Sequence, residues 1–430
     1  MREVNTPQAL AAALRDAREY TLRLYSHLTP EERRVPYRRT INPPAWELAH
    51  VAWFHEWWCL RRRAGRDPLP SRIHDADPML DSARIAHAFR WDLPQLDWNL
   101  VQDYLRSVHE DQLRALDREP PEDLYFFRLA LYHEDMHAEA LLMTLQTLGL
   151  PAPLRAEPAL PLPPTASLRA PEVEFAGGPF EMGSRPGADF RFDNEALAHE
   201  RTVAPFALST CTVTQGEFRG FVEAGGYGDD RWWSSDGWGW RTQNCIEHPR
   251  TWRRHGSHWD VRRFDRWEPL TDDLAMVHVS AYEAEACCRF FGKRLPTESE
   301  WEFAARADLG TSDRFAWGDA WLPKGEVNLD GRFGRPIASA ALPAADSASG
   351  LRQMIGNVWE WTSTPFSPYP GFEPGPYREY SAPWFWNHRV LRGGCFATRQ
   401  RLVHNRWRNF YTPDRGDVFA GFRMARDLRG

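Results

Sequence analysis

Seven prolines fall between residues 151 and 171, in the run PAPLRAEPALPLPPTASLRAP. Proline has no backbone N–H to give and fixes φ at about −65°, so a run this dense forms neither helix nor sheet. It predicts a stiff, extended strap that cuts the 430-residue chain in two. A chain of that length exceeds one ordinary domain in any case. The expected organisation is a first domain over residues 1–150, a linker over 151–171 and a second domain over 172–430.

The charge balance narrows the class of protein. The net charge is −6, with no run of like charge, which argues against nucleic acid as a partner and against a charged tail. The six cysteines (Cys59, Cys211, Cys245, Cys287, Cys288 and Cys395) include no C-x-x-C pair, so neither a zinc ribbon nor a redox dithiol is indicated. The N-terminal stretch MREVNTPQALAAALRDAREY carries charges throughout and reads as an amphipathic helix, not a signal peptide. No apolar run approaches the ~20 residues that a membrane span needs. The expectation is a soluble, cytoplasmic protein with reduced thiols and no membrane partner.

Residues 1–150 carry helical spacing. A first helix is predicted over residues 6–28, capped by Thr6, with Leu10, Leu14, Ala17, Thr21 and Leu24 on one face. After the Asn42-Pro43-Pro44 break a second helix runs AWELAHVAWFHEWWCLRRR, dense enough in apolar residues to be largely buried. Residues 64–94 turn irregular and hold Arg84, His87 and Arg90 among acidic and small residues. Such a stretch suits a loop lining a polar pocket, or a solvated connector. A third helix is predicted over residues 96–116 and a fourth over 123–148, stopped by Gly149. Four helices with ordinary connections make an up-down bundle.

The fourth helix contains His133-Glu134-Asp135-Met136-His137. Positions i and i+4 share a helix face, so His133 and His137 stand side by side and supply two ligands for one metal ion. The pattern H-E-x-x-H is also the zinc-protease signature, with Glu134 as general base. The other readings are half of a non-haem iron site and a helix with two hydrogen-bonded histidines. Metal sites in bundles are built from facing helices, which makes His50 on the second helix the best-placed third ligand, with His55 and His109 in reserve. A lone histidine among Trp46, Leu48, Trp53, Phe54 and Trp57 is otherwise read as a core residue.

From residue 173 the pattern changes to short strands, modest helices and long loops. A strand pair is predicted around Gly177-Gly178, and helices near Thr214, over residues 280–291, and after Pro296-Thr297-Glu298. Residues 225–270 hold seven tryptophans (Trp232, Trp233, Trp238, Trp240, Trp252, Trp259, Trp267) with little expected regular structure. That region is expected to carry its own aromatic core.

Six blocks then appear in order: F-x-M-G-S (180–184), V-T-Q-G-E-F (213–218), R-L-P-T-E-S-E-W-E (294–302), G-N-V-W-E-W-T (356–362), V-L-R-G-G (390–394) and G-F-R (421–423). On these blocks the second half resembles the formylglycine-generating-enzyme (sulfatase-modifying factor) domain, a C-type-lectin-like fold. Formylglycine enzymes use a cysteine pair after R-G-G, whereas here only Cys395 is near, which counts against that activity. The first half resembles the DinB-like bundle that precedes this domain in ergothioneine-pathway enzymes, through Leu48-Ala49-His50 and the His133/His137 pattern. The fold class implied is α+β: a DinB-like four-helix bundle followed by a C-type-lectin-like domain.

With both halves in this order, the chain resembles the iron(II), oxygen-dependent synthases that join a chalcogen to C2 of the imidazole of hercynine. The resemblance implies His50, His133 and His137 as Fe(2+) ligands, with hercynine, O2 and a chalcogen donor as small-molecule partners. Where the sulfoxide synthases that use γ-glutamylcysteine carry Gln and R-N-W-D, this chain has Met136 and Arg408-Asn409-Phe410-Tyr411. Its ending, with the blocks 81–87 and 90–94, is similar to the selenoneine-synthase branch, which takes a 1-seleno-sugar. Hercynine sulfoxide synthesis with γ-glutamylcysteine or cysteine is the alternative. A metalloprotease and a non-catalytic lectin-like binding protein are more remote.

Related synthases use a tyrosine after the W-E-W-T block as proton relay. Tyr377 is the first match here and Tyr380 the second. An aromatic cage of Phe410, Tyr411 and Trp407 would meet the trimethylammonium of hercynine, and Asn409 its carboxylate. Arg84, His87 and Arg90 would serve the donor. Each ligand histidine needs a second hydrogen-bond acceptor, for which Glu134, Asp135 and Glu139 are the nearest in sequence. Gln353, Gly356, Val358 and Glu360 overlie positions that bind Ca(2+) in formylglycine relatives, so that segment is either a structural cation site or a plain turn.

Overall fold

The computed structural model describes residues 4–62, 66–93, 96–119, 124–153, 155, 157–187 and 190–428. The chain divides into two compact units, Met1–Ala156 and Glu157–Gly430. The Pro-rich run carries no helix or strand in its described residues. From Glu157 onward it belongs to the second unit, where Leu160 N–H donates to Arg332 O (2.9 Å) and Ala166 N–H to Ala340 O (3.0 Å).

The first unit is helical. Its elements are α1 (Pro7–Tyr25), α2 (Pro44–His55), the short α3 (Ala76–Leu80), α4 (Trp98–Leu116) and α5 (Tyr125–Leu148). The Thr6 hydroxyl caps α1 by accepting Ala9 N–H, and the Asp97 carboxylate caps α4. Gly149 ends α5 in the left-handed conformation (φ 69°). The expected start of the last helix at Asp123 and the arginine Arg63 lie outside the described residues. After His55 the second helix widens into a π-helical turn, Glu56–Arg61, a form often found beside functional sites. α1 packs on α5 and α4, and α2 packs on α4 and α5. The apolar stripe of α1 (Leu10, Leu14, Ala17, Leu24) is buried, as its spacing predicts.

The second unit mixes helix and sheet, so the chain as a whole is α+β. Its strands are β1 (Glu172–Phe175), β2 (Gly178–Met182), β3 (His199–Val203), β4 (Phe206–Ser209), β5 (Trp252–His255), β6 (His258–Arg263), β7 (Arg266–Pro269), β8 (Trp359–Pro365), β9 (Arg389–Arg392), β10 (Asn409–Tyr411), β11 (Ala420–Gly421) and β12 (Ala425–Asp427). They form sheets in the orders β1-β4-β12, β2-β3, β5-β6-β7 and β10-β9-β8-β11, with β11 parallel to β8. The helices are α6 (Gln215–Glu223), α7 (Ser235–Gln243), α8 (Ala281–Phe290) and α9 (Glu298–Arg306). α6, α8 and α9 each begin with a capping box, at Thr214/Glu217, Ser280/Glu283 and Thr297/Glu300.

Two expectations are corrected here. The strands flanking Gly177-Gly178 exist but do not pair with each other: β1 pairs with β4 and β2 with β3. Gly177 (φ +70°) approaches the Val203 carbonyl so closely that a Cβ would lie 2.2 Å from its oxygen, which sends the two strands to different partners. Residues 225–270 are also more regular than expected, holding α7 and the antiparallel meander β5-β6-β7. Each strand of the meander carries one Trp: Trp252 and Trp259 are buried, and Arg253 lies over Trp267 at 4.2 Å.

Three arginines with no exposed surface tie the second unit together: Arg392, Arg408 and Arg423. Arg408 Nε donates to Glu298 Oε1 (2.7 Å), Arg392 pairs with Glu302, and Arg423 donates to both oxygens of Glu360 (2.7 and 2.8 Å). Trp301 Nε1 completes Glu360 at 2.9 Å. Residues 294–302, 356–362, 390–394 and 421–423 therefore meet as an ion-pair lattice around α9. This overturns the cation reading at Glu360, because its oxygens are taken by a guanidinium and an indole. Gln353 is likewise committed, donating to the Ala338 and Ala341 carbonyls and accepting from Asn357.

Candidate functional site

α2 and α5 lie side by side in the first unit and bring His50, His133 and His137 together, one ligand atom of each within 4.8 Å of the others. His133 and His137 share the face that their i, i+4 spacing dictates, with ring centroids 4.4 Å apart. His50 Nε2 lies 3.2 Å from His133 Nε2. His50 Nδ1 donates to the Leu80 carbonyl (2.6 Å), so the neutral ring keeps its lone pair on Nε2. His137 Nδ1 donates to Glu47 Oε1 (2.9 Å), which leaves Nε2 as its lone pair too.

Aromatic rings fix the imidazole planes. Trp46 stacks on His50 (centroids 5.0 Å, 6° between planes) and Phe54 on His133 (3.6 Å, 4°). Burial, and then the His137 charge, hold His50 well below the ordinary histidine value. Burial and the charges of His137 and His50 do the same to His133. Neutral imidazoles with converging lone pairs, in a set free of carboxylate ligands, fit a divalent transition-metal ion that keeps open positions. Trp46 Nε1 to Met79 O (2.8 Å), Trp53 Nε1 to Asp77 Oδ1 (2.7 Å) and Arg61 to Asp77 (2.7 Å) tie down α3 and so present the Leu80 carbonyl.

Glu134 does not face these imidazoles as a general base would. It is fully buried, bonded to Arg18 through Nε (2.8 Å) and Nη2 (3.1 Å), with His55 Nε2 3.2 Å from its second oxygen. Burial alone would raise its carboxyl, but Arg18 and His55 outweigh that and hold it at about 2. The metalloprotease reading of H-E-x-x-H fails on this contact. The reserve ligands fall away with it, since His55 Nδ1 bonds Gln112 (2.9 Å) and His109 belongs to the same Arg18 environment. The acceptors for His50 and His137 are Leu80 O and Glu47, in place of Glu134. Glu47 had a legible signal, because it precedes His50 by three residues and so shares its face of α2.

Of the loop residues, Arg90 comes nearest the centre. Its guanidinium lies 4.0 Å over Trp46, on whose ring His50 also stacks, and donates to Asn42 Oδ1 (2.7 Å). His87 Nε2 is bonded to Ile41 O (2.7 Å), and Arg84 is a solvent-exposed partner of Asp81.

In the second unit Tyr377 and Tyr380 bracket one turn, with ring centroids 6.0 Å apart. Asp193 and Asn194 pin that turn through Ser381, and Asp193 also accepts Gly375 N–H. Phe192 stacks on Tyr380 at 4.4 Å. Burial, then the Glu195 charge, raise the Tyr380 hydroxyl well above its ordinary value, so it holds its proton. Phe410 stacks on Phe366 (4.0 Å) and meets Tyr380 and His388 edge-on. Trp407 is instead buried against Trp359 (4.9 Å), and Tyr411 lies under Arg415 (4.9 Å). Strand alternation along β10 turns Phe410 and Tyr411 to opposite faces. Asn409 Oδ1 accepts Phe410 N–H (2.8 Å). Cys395 is fully buried and its Sγ accepts from the Thr398 hydroxyl (3.4 Å).

A second group that could hold a metal, His255, His258 and Asp260, lies at the tip of the β5-β6 hairpin. Arg253 already occupies its carboxylate (Nη2 to Oδ2 3.1 Å).

Residues 161–428 match the family model of the sulfatase-modifying factor enzyme 1-like domain. The hercynine oxygenase of Mycolicibacterium smegmatis is 36% identical, over 98% of this chain and 99% of that protein. That of Mycolicibacterium thermoresistibile is 37% identical, over 97% and 95%. This chain belongs to the hercynine oxygenase family. The formylglycine-generating enzyme of Streptomyces coelicolor is 32% identical but covers only 60% of this chain. The likeness to hercynine oxygenases therefore spans both units, including the helices that carry the three histidines. Among the described residues no helix is long and apolar enough to cross a membrane.

Proposed function

We propose that this protein is a cytoplasmic, iron(II)- and O2-dependent enzyme that forms a bond between a chalcogen and C2 of the hercynine imidazole. The observation that carries it is the convergence of His50, His133 and His137 in a chain similar along its full length to hercynine oxygenases. In this reading the three imidazoles hold Fe(2+), which when bound activates O2 and offers open positions to both substrates. Stacking by Trp46 and Phe54 keeps the ligand rings from rotating. Tyr377 or Tyr380 supplies the proton relay, which Tyr380 enters protonated because burial and then the Glu195 charge raise its hydroxyl. Phe410, with Tyr380 beside it, offers aromatic faces to the trimethylammonium. Asn409, Tyr411 and Trp407 complete the proposed substrate set there, with Arg84, His87 and Arg90 on the donor side.

The donor admits two readings. The similarity to hercynine oxygenases supports the sulfur reading, with γ-glutamylcysteine or cysteine as donor. The strand Asn409–Tyr411 favours a 1-seleno-sugar: it presents Phe410 and Tyr411 in place of the Trp-Asp that would pair with a donor amine. The acids that follow are committed locally, Asp414 to Thr412 and Asp417 to Arg415. The test is anaerobic loading with iron(II), then air, hercynine and either donor, read by mass spectrometry. A sulfoxide adduct with the thiol places the protein with the sulfur enzymes, and a selenium adduct formed only with the seleno-sugar places it in the other branch. No adduct and no O2 uptake with either donor, or undiminished turnover in a triple His50→Ala, His133→Ala, His137→Ala variant, would sink the proposal.

A further inference from the structure

His50 and His137 are anchored differently. His50 gives its Nδ1–H to a neutral backbone carbonyl, whereas His137 gives its own to the carboxylate of Glu47. Glu47 is 1% exposed, and among the described residues no Lys or Arg forms an ion pair with it. Its second oxygen, Oε2, has no hydrogen-bond partner. A buried carboxylate without a cation is costly unless a positive charge compensates it, and among the described residues the side-chain partner of this one is a ring whose far nitrogen joins the three-histidine cluster.

Resting on the metal-centre reading above, we infer that Glu47 is a positioning residue that makes His137 a stronger donor than His50, whose Nδ1–H goes to a neutral carbonyl. A carboxylate on Nδ1 locks the tautomer, points the Nε2 lone pair at the centre and raises its basicity. It also brings one negative charge into a three-imidazole set that has none of its own, without taking a coordination position.

The full-length protein is titrated with Co(II) under anaerobic conditions, following its ligand-field bands, and each apo form is melted. Glu47→Gln keeps an acceptor for His137 and removes the charge. It should weaken Co(II) binding about 10- to 100-fold and shift the bands, while the apo variant melts no lower than the apo wild type. Unchanged Co(II) affinity and bands in Glu47→Gln overturn the inference and leave the metal centre standing. A wild type that binds no metal dependent on His50, His133 and His137 overturns both. An apo Glu47→Gln variant that melts well below wild type also overturns it, since the carboxylate would then be a structural ion.

Discussion

Glu134 is fully buried, its carboxylate committed to the Arg18 guanidinium of α1 and the His55 ring of α2. Those partners, and not the H-E-x-x-H spacing, keep it from acting as a base on the three-histidine cluster. Glu134→Gln would strand the Arg18 charge in the interior, and breaking a buried pair in this way costs about 3–5 kcal/mol. The expected outcome is a large fall in melting temperature, with metal binding retained in whatever fraction is folded. Loss of activity with an unchanged melt would instead restore a base at this position.

Among the elements, α9 and the short parallel pair β8-β11 organise the second unit. Glu298 and Glu302, one helical turn apart on α9, receive Arg408 and Arg392, while Glu360 on β8 receives Arg423. The approach of β11 demands glycine, because a Cβ on Gly421 would lie 2.1 Å from the Met276 carbonyl oxygen, a backbone atom with little room to give. Gly421→Ala should therefore destabilise the protein by about 3 kcal/mol, the upper end of the cost of overpacking, read as a lower denaturant midpoint at unchanged slope. A cost near zero would mean that β11 can shift away from β8. The β5-β6-β7 meander shows the opposite case: its short, Arg-rich strands carry one Trp each and too little alternating apolar pattern to mark them in the sequence.

For the whole molecule, acid should be destabilising before the carboxylates titrate. His278 is 5% exposed, and burial, only partly offset by Asp417, lowers it from 6.5 to about 4. Between those values the unfolded chain binds a proton at this imidazole and the folded chain does not, so stability falls as pH drops from about 6.5 to about 4. Melting temperature against pH should show that slope. His278→Asn, which suits the positive backbone φ of 64°, should flatten it, and an unaltered slope would remove His278 as the cause.

By itself the sequence determined a helical first half followed by short strands and modest helices, the helix starts near Thr214, Ser280 and Thr297, and the face shared by His133 and His137. These follow from local periodicity and cap chemistry, which act over a few residues. The resemblance then pointed to His50, and the structure brings it to the other two. Only the tertiary structure decided that Glu47 and the Leu80 carbonyl anchor the ligands and that Glu134 and Glu360 are committed to arginines. Each of those outcomes pairs groups far apart in the chain. Which buried charge finds which partner depends on how helices and strands pack, and a linear pattern does not contain that information.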